Sequence, residues 1–462
     1  MKVFRSRYTL AEHWPDGRGL LLNAFSGAVD IVSSELVGFV QKSAAAEINE
    51  SDTSYSTFVG RGYYIDSLEA EHEVAQYLMA HAKARVLEYG QPKYMFSLSL
   101  QCNLTCNYCW QVQEHGESRQ RTALMSTEMV DAAFAYIQTD LAGRKRKDAF
   151  ISLFGGEPLL DTPVHRSLIN SIGERALSGA MHLHFTTNGT TLAFYRDEIK
   201  RFRPSIQVTI DGASLTSSGV VLRRASQDID GVYGELADIA SEGFAEVILR
   251  FLVTEQTACQ FADLADQVFR DARFAKNFTL AVAPIQNKSE FIDPNIPPKF
   301  RVLRVLMNLL KGKDYAHRIA YTDWRSLNLF SNLRRGVDTL PDPVFFHCEA
   351  NTDLTCFDHE GRVYACYESI GNAEQSIGTY WPTSRIDEAL ATQFRERSAF
   401  SMIECSECAL SPVCGGGCEV RAFKKRGQYF HHYCDSLHSE TRLTMRHWGE
   451  LSRLLIGNFH EG

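Results

Sequence analysis

Eleven of the 12 cysteines in this 462-residue chain fall into two separate zones, and that distribution constrains it more than any other feature. Cys102, Cys106 and Cys109 form the first zone; Cys348, Cys356, Cys366, Cys405, Cys408, Cys414, Cys418 and Cys434 form the second. The amino terminus, MKVFRSRYTL, turns polar too soon for a secretion signal, and no apolar run approaches the ~18–20 residues of a membrane span. These features predict a cytoplasmic chain. Thiols stay reduced there, so clustered cysteines read as metal or catalytic ligands rather than disulfides. Cys259, alone in a predicted helix, reads as a small core residue.

Charge narrows the partners. Basic residues number 48 and acidic ones 56, a net charge of −8, with no long Lys/Arg run. Nucleic acid and anionic membrane are therefore excluded as expected partners on electrostatic grounds. An apolar fraction of 44% with 23% charged residues is an ordinary globular balance. The length exceeds one compact core and predicts two or three domains.

Residues 1–92 contain no cysteine and predict a small α+β domain. Apolar runs at 19–23 and 28–32 flank a Phe-Ser-Gly turn as a hairpin, followed by helices over 33–42 and 68–87. From Tyr94 the pattern changes. Apolar runs at 94–100, 148–154, 182–187, 205–210, 246–253 and 278–283 predict six buried strands. Helical stretches separate them: Ser126 caps one with Glu128 in its first turn, and another over Val232–Ser241 is closed by Gly243. Such alternation predicts a parallel sheet, open or curled into part of a barrel, with chemistry at the strands' C-terminal ends. The expected divisions are 93–285 for this core, 286–345 for a bridge, and 346–462 for a cysteine-rich domain closed by one helix over 436–456.

The first cysteine zone reads CNLTCNYC and directly follows the first predicted strand. One tight loop can wrap three thiolates around one centre, and soft thiolates select zinc, copper(I) or iron–sulfur. A structural zinc site wants four ligands, usually as two pairs, and no fourth lies nearby. A four-iron cube on three thiolates leaves one iron open, as a catalytic cluster requires; an incomplete zinc loop is the alternative.

CxxxCxΦC, with Tyr108 before the last cysteine, resembles the signature of radical S-adenosylmethionine (SAM) enzymes. The resemblance implies a partial (β/α)6 barrel and a [4Fe–4S] cluster on Cys102, Cys106 and Cys109 that binds SAM. One-electron reduction then yields a 5′-deoxyadenosyl radical that abstracts a substrate hydrogen. The second strand runs into FGGEP at 154–158. Gly155 and Gly156 let backbone approach a ligand closely, and Glu157 accepts from an ammonium group; in the resembled family this segment holds the methionine amine. The third strand ends at TTNGT, where Thr187 and Asn188 are expected to meet cofactor hydroxyls unless the motif is only an Asn-Gly turn. Asp211-Gly212 resembles a further element of the family. Arg223 (or Arg224) and Arg250 are candidates to pair with the SAM carboxylate.

The second zone reads C-x12-G-x4-C over Cys348, Gly361 and Cys366, then C-x2-C-x5-C-x3-C over Cys405, Cys408, Cys414 and Cys418, then Cys434. It is similar to the seven-cysteine SPASM extension of radical SAM maturases. That implies two auxiliary [4Fe–4S] clusters, three in all: Cys405, Cys408, Cys414 and Cys434 on one, Cys348, Cys366 and Cys418 on the other. Cys356 is expected to complete the latter, since full ligation takes four thiolates; a buried strand cysteine is the alternative. Zinc competes poorly, because the five-residue gap is far shorter than the ~15–20 residues of a zinc ribbon. Where sulfatase maturases place an Asp, this chain has Tyr367 followed by Glu368, which with His347 and Asp435 are acid/base candidates.

The resemblance implies a maturase that crosslinks or otherwise oxidises a ribosomally made precursor peptide, fed by a one-electron reductant such as flavodoxin or ferredoxin. Residues 1–92 have the length and pattern of a unit that grips a leader peptide at a strand edge, or they form a plain structural cap. The alternatives are a maturase of a sulfatase or quinoprotein, and a non-catalytic iron–sulfur or zinc scaffold.

Overall fold

Alternating apolar residues build the central sheet of the computed structural model. It describes residues 2–47, 58–106, 108–212, 223–224, 229–285, 299–333, 337–434 and 437–456. In Glu246–Val253, Val247, Leu249, Phe251 and Val253 are buried, whereas Arg250 and Leu252 face a cavity on the other side. This is the two-residue period of a strand with different surroundings on its two faces.

The six expected strands form at Lys93–Ser97, Phe150–Phe154, His182–Thr187, Ser205–Asp211, Glu246–Val253 and Phe278–Pro284. They pair in sequence order and all in parallel. Helices Thr127–Gly143, Pro163–Ser178, Arg196–Phe202, Ile229–Glu242 and Ala258–Arg270 make the crossovers. Ser126 caps the first of these by accepting from the Met129 N–H. The fold is α/β, a partial barrel of successive βα units.

The sheet does not stop at the expected boundaries. Ala320–Tyr321, inside the bridge, adds a parallel strand beyond Phe278–Pro284. Leu354–Phe357, inside the cysteine-rich region, adds one beside Lys93–Ser97. Arg362–Tyr364, Gly378–Thr379 and Arg385–Ile386 continue it antiparallel to eleven strands. These additions are two to four residues long, too short to show as a periodic pattern. One expected helix also differs: the C-terminal stretch is two helices, Leu437–Arg446 and Trp448–Ile456, separated at His447.

Residues 2–47 and 58–92 form two three-stranded antiparallel sheets, with helices Ser34–Lys42 and Leu68–Tyr89. Their own core includes Val3, Leu21, Val37, Phe58 and Tyr64. The expected hairpin is the Arg18–Asn23 and Val29–Ser33 pair, which Thr9–His13 extends on the other side. Buried Glu12 accepts from Arg442 and Arg446, and Trp14 Nε1 donates to Met445 O over 2.8 Å, so the first sheet is fastened to the C-terminal helices. Among the described residues no helix is long and apolar enough to cross a membrane.

Candidate active site

The cysteine loop begins where the first strand ends. There, FGGEP runs alongside it: the Gly156 N–H donates to Ser99 O over 3.1 Å and the Glu157 N–H to Gln101 O over 2.7 Å. A Cβ on Gly156 would lie 1.9 Å from Gln101 O, and one on Gly155, at φ +123°, 2.4 Å from Ser99 O. Both glycines therefore answer to a backbone-to-backbone contact that seats the cysteine loop, and both also line the cavity, where approach to a ligand is expected.

Glu157 is 2% exposed beneath that loop. Its carboxylate accepts from the Leu159 N–H at 2.9 Å, Thr187 Oγ1 at 2.6 Å and the Asn188 N–H at 2.7 Å. A carboxylate has about four acceptor positions, so one remains for a further donor. Burial pushes Glu157 up to about 7, against the pull of those three hydrogen bonds.

Thr187 and Asn188 also have partners within the chain. Both line the cavity, but Thr187 Oγ1 is committed to Glu157 and to the Gly189 N–H. Asn188 Nδ2 donates to Asn103 Oδ1 over 2.8 Å and faces Cys102 Sγ at 3.9 Å. The two residues position the carboxylate and the cysteine loop. Asp211 likewise accepts from Tyr108 Oη over 2.6 Å and so anchors the aromatic residue before Cys109. Arg250 pairs with Asp323, and both stand at the cavity wall. The backbone of Arg223 pairs antiparallel with that of Cys106, while its side chain lies outside the described residues.

Cys102, Cys106 and Cys109 line a cavity of about 230 Å³ together with Tyr108, Trp110, Phe154 and Glu157. Burial pushes the Cys102 thiol up to about 11, with the charge of Glu157 adding to it, and burial also raises Cys109. Arg119, which has no signature in the sequence, is 2% exposed, donates to Leu104 O over 2.7 Å and opposes both shifts. Thiols so placed ionise when a cation draws the proton off, which is how cysteine ligands bind metal.

The second zone forms two groups. Cys405 is pushed up to about 12 by burial and by Cys414, Cys408 and Cys434. Cys418, also raised to about 12, has Glu419 and Glu368 as charged neighbours, while Cys366 has Glu368, Glu419, Cys418 and Cys348. Gly415, Gly416 and Gly417, at φ +65°, +90° and +77°, turn the chain between Cys414 of one group and Cys418 of the other. A Cβ at each would fall within 2.0 Å of Phe346, Met402 or Tyr433. Fully buried Arg397, also silent in the sequence, donates to the carbonyls of Gly416, Gly417, Tyr429 and His431.

Cys356 joins neither group. It lies in Leu354–Phe357, opposite Met95 and Tyr364, within an apolar cluster of Leu100, Trp110, Tyr364 and Ile370. Burial alone raises its thiol. The expected fourth cysteine ligand is instead a strand residue of the core. Tyr367 packs edge-on against Phe154 of the cavity wall, ring centroids 5.5 Å apart. Glu368 is buried beside Cys366; His347 meets Arg325 Nη1 at 2.6 Å; Asp435 lies outside the described residues.

Among the described residues no three His, Cys, Asp or Glu side chains are set to share one metal ion. A four-iron cube makes no such demand, because each thiolate binds a different iron. The three-thiol loop, lining a cavity with room beside it, fits an iron–sulfur cluster.

Residues 96–268 match the model of the Radical SAM superfamily. In sequence, the chain is similar to the pre-heme d1 synthase of Dinoroseobacter shibae, 24% identical over 363 residues that span 73% of this chain and 84% of that protein. In structure, it is similar to native anSMEcpe with bound AdoMet, with a TM-score of 0.56 at 14% identity over 79% of this chain and 98% of that one. It is also similar to Streptococcus suis SuiB bound to the precursor peptide SuiA, with a TM-score of 0.52 at 14% identity over 93% and 99%. These structural likenesses are of fold.

Three thiols that face a cavity at the strand ends, within the segment that matches this family, define the class, an iron–sulfur enzyme of partial-barrel fold. The chain carries a radical SAM domain and is a radical SAM enzyme, whose cofactors are SAM and an iron–sulfur cluster.

Proposed function

We propose that this enzyme crosslinks or otherwise oxidises a ribosomally made precursor peptide, using two auxiliary [4Fe–4S] clusters in the C-terminal array besides the SAM cluster. The observation that carries this reading is the Phe154–Tyr367 contact, because it sets the residue after Cys366 against the wall of the SAM cavity. A substrate held there stands between the first thiol loop and the second cysteine zone.

A cluster bound there would supply, given SAM and one electron from an external reductant, the 5′-deoxyadenosyl radical chemistry that removes a hydrogen from the peptide. The chain's own part is placement. Cys102, Cys106 and Cys109 hold the cluster, and the remaining acceptor position of Glu157 orients the methionine ammonium. Arg250, balanced by Asp323, meets the carboxylate. The groups Cys405/Cys408/Cys414/Cys434 and Cys348/Cys366/Cys418 would hold the auxiliary clusters, which would supply an acceptor for the electron removed from the substrate. Residues 1–92 are the leader-binding unit, and Val29–Ser33, at the outer edge of its sheet with Ile31 54% exposed, is the receiving strand.

Two structures similar in fold support a peptide substrate: SuiB is bound to the precursor peptide SuiA, and anSMEcpe is bound to the Cp18Cys peptide. The pre-heme d1 synthase match favours a second reading, synthesis of a heme precursor. Co-expression with each short peptide encoded beside the gene, followed by mass spectrometry, separates them. A peptide lighter by two hydrogens supports the first reading. Unchanged peptides together with an altered tetrapyrrole precursor support the second.

A further inference from the structure

Cys348, Cys366 and Cys418 supply three thiolates, and Cys356 is committed to the apolar cluster beside Trp110 and Tyr364. A four-iron cube on those three thiolates lacks one protein ligand. The side chain beside the group is Glu419. It directly follows Cys418 as the first residue of helix Glu419–Arg426, and its side chain is 0% exposed. Oε1 lies 3.6 Å from Cys348 Sγ. Oε2 is buried and has no hydrogen-bond partner among the described residues.

The nearest cation does not satisfy that oxygen. Arg397 Nη1 is 3.8 Å from Oε2, beyond hydrogen-bond length, and its guanidinium donates to the carbonyls of Gly416, Gly417, Tyr429 and His431. Buried carboxylates are stable when paired or when they coordinate metal. Glu368, two residues after Cys366, is the competing carboxylate, but Glu419 directly follows Cys418, is the more deeply buried of the two and reaches Cys348 Sγ with Oε1 at 3.6 Å.

We propose that Glu419 is the fourth protein ligand of the cluster held by Cys348, Cys366 and Cys418, binding through Oε2. This rests on the reading that the array holds auxiliary clusters. On assembly the three thiols and the carboxyl release their protons to solvent, and no electron moves. Arg397 and Arg421, both close by, offset part of the added negative charge. One iron of this cube then carries a hard oxygen donor where the others carry sulfur, which sets it apart and makes it the corner a substrate group can displace.

The test is Mössbauer spectroscopy and iron counting on the full-length protein, purified anaerobically with ⁵⁷Fe and without SAM. Wild type should hold about 12 irons, as three four-iron clusters do, with one oxygen-bound iron site beyond the open iron of the SAM cluster. Glu419→Gln should lose that site or about four irons. Glu419→Cys should keep the iron count and convert the site to a thiolate-bound one, a rescue that a purely structural role would not give. Where Glu419→Gln lowers the folded yield, Glu419→Cys decides. A Glu419→Gln spectrum that superimposes on wild type, or a Glu419→Cys spectrum in which no site changes, overturns the proposal. A wild-type count of about four irons instead overturns the reading beneath it.

Discussion

The two cysteine zones are built in opposite ways. In the first, one loop of eight residues carries all three thiols, braced by Asn188, Arg119 and the Tyr108–Asp211 hydrogen bond, and it faces a cavity of about 230 Å³. In the second, the cysteines come from segments as much as 86 residues apart, drawn together by three left-handed glycines and buried Arg397. The difference teaches where each kind of chemistry can reside. A loop held from one side leaves room for a cofactor and a substrate. A cage folded from distant pieces is suited to hold a cluster tightly and exchange electrons.

Four substitutions bear on that contrast, taken from the largest expected effect to the smallest. Cys102→Ala should reduce SAM cleavage at least about a thousandfold, some 4 kcal/mol of barrier, and remove about four irons while leaving the second zone loaded. Assay of 5′-deoxyadenosine beside an iron count checks it. Cys405→Ala should also cost about four irons, yet SAM cleavage should persist and modified product vanish, as chromatography of both products would record. Retention of product in Cys405→Ala would erase the distinction between the zones.

Glu157→Gln addresses the first zone alone. Losing a charge-assisted hydrogen bond of about 1.5–3 kcal/mol should weaken SAM binding roughly 10- to 150-fold by calorimetry. Because burial raises Glu157 to about 7, wild-type affinity should strengthen as pH rises through that value and the carboxylate ionises, whereas Glu157→Gln should show no such step. In the unloaded chain the sign reverses. The neutral carboxyl is favoured in the fold, so its contribution to stability is fully present below about 4.5 and is lost as pH rises through about 7.

Cys356→Ala should do least. Iron content and activity should match wild type, and chemical denaturation should show a loss of about 1 kcal/mol from the small cavity left beside Trp110 and Tyr364. A loss of iron in Cys356→Ala would return this residue to the ligand set.

The sequence made the first zone legible and the second only in part. The spacing of Cys102, Cys106 and Cys109 and the FGGEP segment are local patterns, and the six strands follow from short apolar runs between capped helices. Contacts that close over long distances left no such trace. Leu354–Phe357 pairs with Lys93–Ser97 across more than 250 residues, and that pairing decides the fate of Cys356. Arg119, Arg397, Asp323 and Glu419 are ordinary residues in sequence, and only burial and partners give them roles. Thr187 and Asn188 stand at the end of a strand and line the cavity, and their contacts with the carboxylate of Glu157 and the thiol of Cys102 leave no trace in the sequence.

The most direct test is a single anaerobic assay of the iron-loaded wild-type chain with SAM and dithionite. The expected result is 5′-deoxyadenosine formed by a protein that holds about 12 irons, with formation abolished in Cys102→Ala. SAM left intact by a fully iron-loaded wild-type chain would contradict it.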